Sequence, residues 1–139
     1  MSHRVLVADV PAMDKRYRAI LPDAELRFVR SMGEASRALD VRKFDLLIVG
    51  VRFDESRMFE LLWLMKARSL TTPVACIRGC QVDSALSSVA GIDAAVRSLG
   101  ACDFIDFRDY PDNAEGNAKI HQRLLACLAE KGLPAERAA

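Results

Sequence analysis

Short apolar runs alternate with amphipathic stretches along almost the whole chain. Arg4 to Ala8 (RVLVA) is a buried-strand run with Asp9 at its carboxyl end. Met13, Tyr17, Ile20 and Leu21 recur on one helical face until Pro22 halts it. Glu25 to Arg30 (ELRFVR) has mixed polarity and reads as a strand at a sheet edge. Ser31 and Glu34 form a capping-box pattern ahead of a helix whose inner face is Ala35, Ala38 and Leu39. Asp45 to Val51 (DLLIVGV) is apolar on both faces and predicts a central strand. A helical stripe of Met58, Leu61, Leu62 and Met65 follows, widened by Trp63 and Leu64. Pro73 introduces a strand from Val74 to Ile77. A long helix is then carried by Ala85, Val89, Ile92, Val96 and Leu99 and closed by Gly100. Cys102 to Phe107 reads as a fifth strand. The last helix is carried by Ile120, Leu124, Cys127 and Leu128, with Asp112 and Glu115 as its capping residues.

Strands that alternate with helical crossovers pair in parallel. The expected fold class is therefore α/β: a doubly wound, five-stranded parallel sheet of flavodoxin-like type, in order 2-1-3-4-5, with ligand chemistry at the strand carboxyl ends. The chain has 139 residues, enough for one core. It is expected to be a single domain over 1–139, with its core at 4–130 and a short tail at 131–139.

Composition narrows the function. Half the residues (51%) are apolar and the net charge is +1, which excludes a mainly disordered chain. Twenty Lys and Arg balance nineteen Asp and Glu, so direct nucleic-acid binding is not expected. The basic groups Lys15, Arg16, Arg18 and Arg42, Lys43 read as solvated faces. No run is long enough to span a bilayer and no secretory leader is legible, so membrane partners are not expected and the expected location is cytoplasmic. The four cysteines form no dense framework, and reduced thiols are expected.

Four fragments, in this order and spacing, carry a resemblance: RVLVAD at the start, DLLIVGVRFDESRMFELLWLMK from Asp45 to Lys66, TPVACI from Thr72 to Ile77, and GACDFIDF from Gly100 to Phe107. Over nearly its full length the chain resembles the CheY-like receiver domains of two-component response regulators. The resemblance implies an aspartate phosphorylated at the end of the third strand, an acidic pair holding Mg²⁺ after the first, a hydroxyl after the fourth and a lysine after the fifth. Here those positions carry Gly50, Asp9 with Val10, Arg78 and Phe107. Asp54 lies four residues further on, in the loop. Gly50 has no side chain to phosphorylate, and Asp9 alone is a poor Mg²⁺ site. The resemblance thus implies a degenerate receiver with no catalytic residue, metal or cofactor, acting as a phosphorylation-independent protein-interaction module.

Arg78 either extends into solvent or turns into the vacated pocket; pairing with Asp9 is expected there, which would lock the pocket in one state. Phe104 falls at the receivers' switch aromatic and is expected to be core packing. The resemblance also implies that a protein partner (an effector, a kinase or a second copy in a homodimer) binds the face of helix 4, strand 5 and helix 5. The long segments Gly79 to Leu99 and Arg108 to Gly116 flank that face and either remodel it or are neutral. A rival class is a small anionic-ligand or enzymatic site formed by Arg52, Arg78 and Arg108 just after strand ends. A third is a regulatory domain belonging to a larger transcriptional or signalling protein. Cys76 and Cys80 (C-x3-C) lack a second pair for zinc, His3 and His121 complete no motif, and Cys102 has no nearby His to make it a nucleophile.

Overall fold

The computed structural model describes residues 3–79 and 89–131. Five strands, β1 (Arg4–Ala8), β2 (Glu25–Val29), β3 (Leu46–Gly50), β4 (Val74–Arg78) and β5 (Asp103–Asp106), form one sheet. Its order is β2-β1-β3-β4-β5 and every pairing is parallel, as the alternating pattern predicts. The doubly apolar β3 lies between β1 and β4 and is buried at every position. The mixed β2 takes the edge, with Glu25 and Arg27 exposed.

The longer helices are α1 (Asp14–Ile20), α2 (Met32–Val41), α3 (Met58–Ala67), α4 (Val89–Ser98) and α5 (Ala114–Lys131). Successive strand residues point to opposite faces, so the sheet separates two cores. One holds Leu6, Leu47, Val49 and Cys76 with the inner faces of α2, α3 and α4. The other holds Val5, Val7, Ile48 and Ile77 with α1 and α5. Ala85 and Cys80 lie outside the described residues.

Local chemistry sets most boundaries. The Ser31 hydroxyl accepts from Glu34 N at 3.1 Å, capping α2. Gly100 takes φ +100° after α4, a turn that favours glycine. The cap of α5 differs from expectation: Asn113 Oδ1 accepts from Gly116 N at 2.8 Å. Asp112 instead faces Arg16 at 3.7 Å. Trp63 does not widen the buried stripe of α3; it is 59% exposed, because the inner face is already filled by Met58, Leu61, Leu62 and Met65.

Candidate functional site

The carboxyl ends of β1, β3 and β4 bring Asp9, Gly50 and Arg78 to one rim of the sheet. Asp9 is only 3% exposed, and its carboxylate is held from two sides. Val10 N donates to Oδ1 at 2.7 Å, and the Tyr17 hydroxyl on α1 donates to Oδ2. Burial pushes the Asp9 carboxyl above its ordinary value, an effect the Tyr17 and Val10 hydrogen bonds and the charge of Arg30 only partly offset. Tyr17 is pushed well up for the same reason, by its own burial and by the Asp9 charge beside it.

Gly50 explains where that carboxylate can go. An ideal Cβ on Gly50 would fall 2.2 Å from Asp9 Cγ and Oδ1 and 2.3 Å from Oδ2. The space a side chain would need at the end of β3 is therefore occupied by Asp9. A cavity of about 30 Å³ remains above it, lined by Asp9, Val10, Ala12, Met13, Val51, Arg52 and Gly79. That is room for about one water.

Phe107, which the resemblance sets at a receiver's lysine position, is an apolar plug. Phe107 is 1% exposed and meets the Tyr17 ring edge-on, with centroids 5.8 Å apart and planes at 63°. The Arg16 guanidinium lies over the Phe107 ring, 4.8 Å from its centroid. Arg16 then donates to Tyr110 O and Pro111 O, both at 2.9 Å, and to Asn117 Oδ1 at 3.0 Å. The long Arg108–Gly116 segment is thus tied to α1. Arg30, from the end of β2, completes the rim by donating to Asp9 O at 3.0 Å and to the Asp14 carboxylate. Sequence reasoning placed Tyr17 in an apolar stripe and missed its hydroxyl; a fully buried phenol needs a partner, and Asp9 was the acid within reach.

The expected Arg78–Asp9 ion pair does not form. Among the described residues Asp9 has no cation at ion-pair distance, because its oxygens are already taken by Tyr17 and Val10. Arg78 is 6% exposed, so it does not extend into solvent either, and among the described residues its Nε has no hydrogen-bond partner. In the sheet it stands opposite Asp106 of β5. Burial tends to raise the Asp106 carboxyl, but hydrogen bonds and charge from Arg108, together with the charge of Arg78, hold it below its ordinary value. Arg108 is forked onto Asp106, with Nη2 at 2.9 Å and Nε at 3.1 Å. Of the three arginines proposed for an anion, only Arg52 lines the cavity over Asp9.

The residues present do not fit the Mg²⁺ that the receiver resemblance brings with it. Asp9 is engaged by two donors, its neighbour is Val10, and no metal-binding cluster of His, Cys, Asp or Glu occurs among the described residues. Phe104 is 4% exposed and packs in the α2–α4 core.

The loop after β3 is unusual. Asp54, Glu55 and Ser56 all have positive φ (45°, 58° and 69°), the left-handed region that non-glycine residues rarely adopt. Asp54 Oδ2 accepts from Met32 N at 2.8 Å, which fixes this turn to the start of α2.

The expectation of reduced thiols also needs correction. Cys102 and Cys127 are joined, with Cα atoms 5.9 Å apart. The fold explains it: the helix that follows the loop after β5 packs back beside that strand, and Cys127 is on the helix's inner stripe. Beside this bond Asp103 accepts from Arg123 Nε at 2.9 Å and from Arg97 Nη2 at 2.9 Å, joining α4, β5 and α5. Cys76 is free and fully buried, and burial pushes its thiol up to about 12.

The chain matches no protein-family model and no curated protein. It is similar to solved receiver structures. The signal receiver domain of a protein described as a Luxo repressor, from Vibrio parahaemolyticus, superposes with a TM-score of 0.77 at 16% identity, covering 100% of this chain and 99% of that one. NtrX from Brucella abortus gives 0.75 at 23% identity, over 99% of this chain and 29% of NtrX. The signal receiver domain of an HD domain-containing protein from Pseudomonas fluorescens gives 0.74 at 17%, over 98% and 93%. At these identities the likeness is one of fold, and the fold is that of receiver domains. No helix of the described residues is long and apolar enough to cross a membrane.

Proposed function

We propose that this chain is a pseudo-receiver: a non-enzymatic signalling module that presents a protein-binding surface without an aspartyl-phosphate switch. The observation that carries it is the Asp9 carboxylate, which fills the space where a side chain at position 50 would begin. Acceptor, metal site and charge-neutralising cation are all replaced, by Gly50, by Asp9 bound to Tyr17, and by Phe107. Phosphoryl transfer to a carboxylate needs positive charge around the transferred group, and Phe107 offers none.

The surface proposed for the partner, an effector or a second copy, is the face of α4, β5 and α5. It is braced by Asp103 with Arg97 and Arg123, and by the Cys102–Cys127 bond. Phe104, buried beneath it, is packing here and has no hydroxyl at position 78 to follow.

Incubation with acetyl phosphate and Mg²⁺, read by intact mass, tests the central claim. No adduct is expected. A stoichiometric adduct that hydroxylamine removes overturns the reading.

A further inference from the structure

The seam between β5 and α5 is closed twice at one place. Cys102 immediately precedes β5, and Cys127 lies one helical turn beyond Arg123 on α5. Asp103, the residue after Cys102, accepts from Arg123, which also donates to Phe104 O at 3.1 Å and to the Tyr110 hydroxyl at 3.0 Å. Arg97 reaches the same spot from α4. A covalent staple and an ionic staple therefore join the same two segments side by side.

The two differ in what can open them. Cys127 is 2% exposed, inside the core beneath α1 and α5, whereas Cys102 is only partly buried. Of the two residues, only Cys102 leaves part of its surface open to solution, with its Sγ 3.1 Å from Val74 O. The ionic staple is partly exposed, with the Arg123 side chain at 34% and that of Arg97 at 46%. Their acid, Asp103, is only 14% exposed, while the exposed arginine ends leave the pairs open to screening by salt. The buried Ile120 and Leu124 also hold α5 to the sheet, so opening the disulfide leaves that packing and the ion pairs.

We propose that Cys102–Cys127 is a reversible thiol–disulfide site, opened by low-molecular-weight thiols at the Cys102 sulfur, whose redox state sets how firmly α5 is held to β5. A thiolate RS⁻ attacks Cys102 Sγ, the S–S bond breaks, and Cys127 leaves as a thiolate that takes up a proton. A second RS⁻ then attacks the R-group sulfur of the mixed disulfide, releasing Cys102 and the oxidised product RSSR. Two thiols are oxidised as one protein disulfide is reduced, and RSSR drives the reverse. Reduced Cys127 stays in the core as a small apolar side chain. Cys76 does not compete, since its buried thiol is held protonated. Only the consequence for partner binding rests on the pseudo-receiver reading; the switch itself does not.

The test uses the whole chain carrying Cys80→Ser, equilibrated in glutathione buffers from oxidising to reducing. Free thiols are alkylated and mapped by peptide mass, and amide hydrogen exchange is followed over 103–131 at low and high salt. Cys102 and Cys127 are expected to open together, with the trapped glutathione adduct on Cys102. Exchange across β5 and α5 should then rise at least ten-fold while β1 and β3 stay protected. Added salt should raise it further only in the reduced protein. Asp103→Asn should likewise accelerate exchange in the reduced protein and leave the oxidised one nearly unchanged. An adduct on Cys127, a pair that oxidised glutathione never closes, equal exchange in both redox states, or loss of protection throughout the sheet overturns the switch. A phosphoryl adduct at another residue would overturn the pseudo-receiver reading and leave this one standing.

Discussion

Gly50→Ala adds one methyl group, and the structure makes it a severe change. The new Cβ would lie 2.2 Å from Asp9 Cγ, where carbon atoms ordinarily rest about 3.5–4.0 Å apart. More than an ångström must be opened inside a site where Gly50, Asp9 and Tyr17 are all buried. Overpacking of this kind costs about 1–3 kcal/mol. If Asp9 yields by swinging away, the Tyr17 hydroxyl loses its acceptor, and an orphaned buried donor costs about 1–3 kcal/mol. Together they give about 3 kcal/mol, a large share of the 5–15 kcal/mol that stabilises a typical domain. Urea unfolding is the assay: with a slope of about 1.5 kcal/mol/M, the midpoint should fall by about 2 M. The same substitution in an Asp9→Ala background should cost less than about 0.5 kcal/mol, because the obstructing carboxylate is gone. Equal costs in the two backgrounds would mean that Asp9 does not occupy the space above Gly50, and the filled-pocket account would fall with it.

Three further outcomes follow from neighbouring features. The Asp9 carboxyl is raised in the folded protein above its ordinary value of 3.8. Its contribution to stability is therefore fully present below about pH 4 and is lost as pH rises through the folded value. Asp9→Asn, which does not titrate, should gain on the parent protein between about pH 3.5 and pH 7 in parallel urea titrations; a constant difference refutes this. Glu55 is exposed at φ 58°, so Glu55→Gly should stabilise by about 0.5–1 kcal/mol in the same assay, the left-handed strain outweighing glycine's extra chain entropy. Reducing Cys102–Cys127, 25 residues apart, should cost about 3 kcal/mol on the chain-entropy account and lower the thermal midpoint by about 10 °C in dithiothreitol. A midpoint unmoved by reduction would show the bond contributes no constraint.

The sheet order was legible because each strand's polarity reports how many of its faces are covered. DLLIVGV has no polar position to expose and must lie inside, while ELRFVR has several and must lie at an edge. Positions at the strand ends were legible as well: Asp9, Gly50 and Arg78 do share one rim. Their partners were not. Whether Asp9 turns to Arg78 or to Tyr17 depends on which side-chain paths remain open once the backbone is packed, and periodicity carries no such information. Tyr17 fits an apolar stripe by its ring alone, and its hydroxyl acquires meaning only once α1 is laid beside the end of β1. Cys102 and Cys127 pair for a similar reason, being brought together by the crossover from β5 to α5 rather than by spacing. Trp63 was misplaced because an apolar count assigns every large side chain to the core, whereas the inner face of α3 had no room left.

That outward Trp63 also decides how the molecule looks to light. It is the chain's one tryptophan and sits in solvent, with Phe59, 37% exposed, one turn away. Indole emission should therefore be red-shifted in the native protein and change little on unfolding, so neither core announces its loss through it. Anything that settles on the outer face of α3 shields the ring and moves its emission to the blue. The chain thus carries a fluorophore that is nearly silent about its own folding and responsive to contact at one surface.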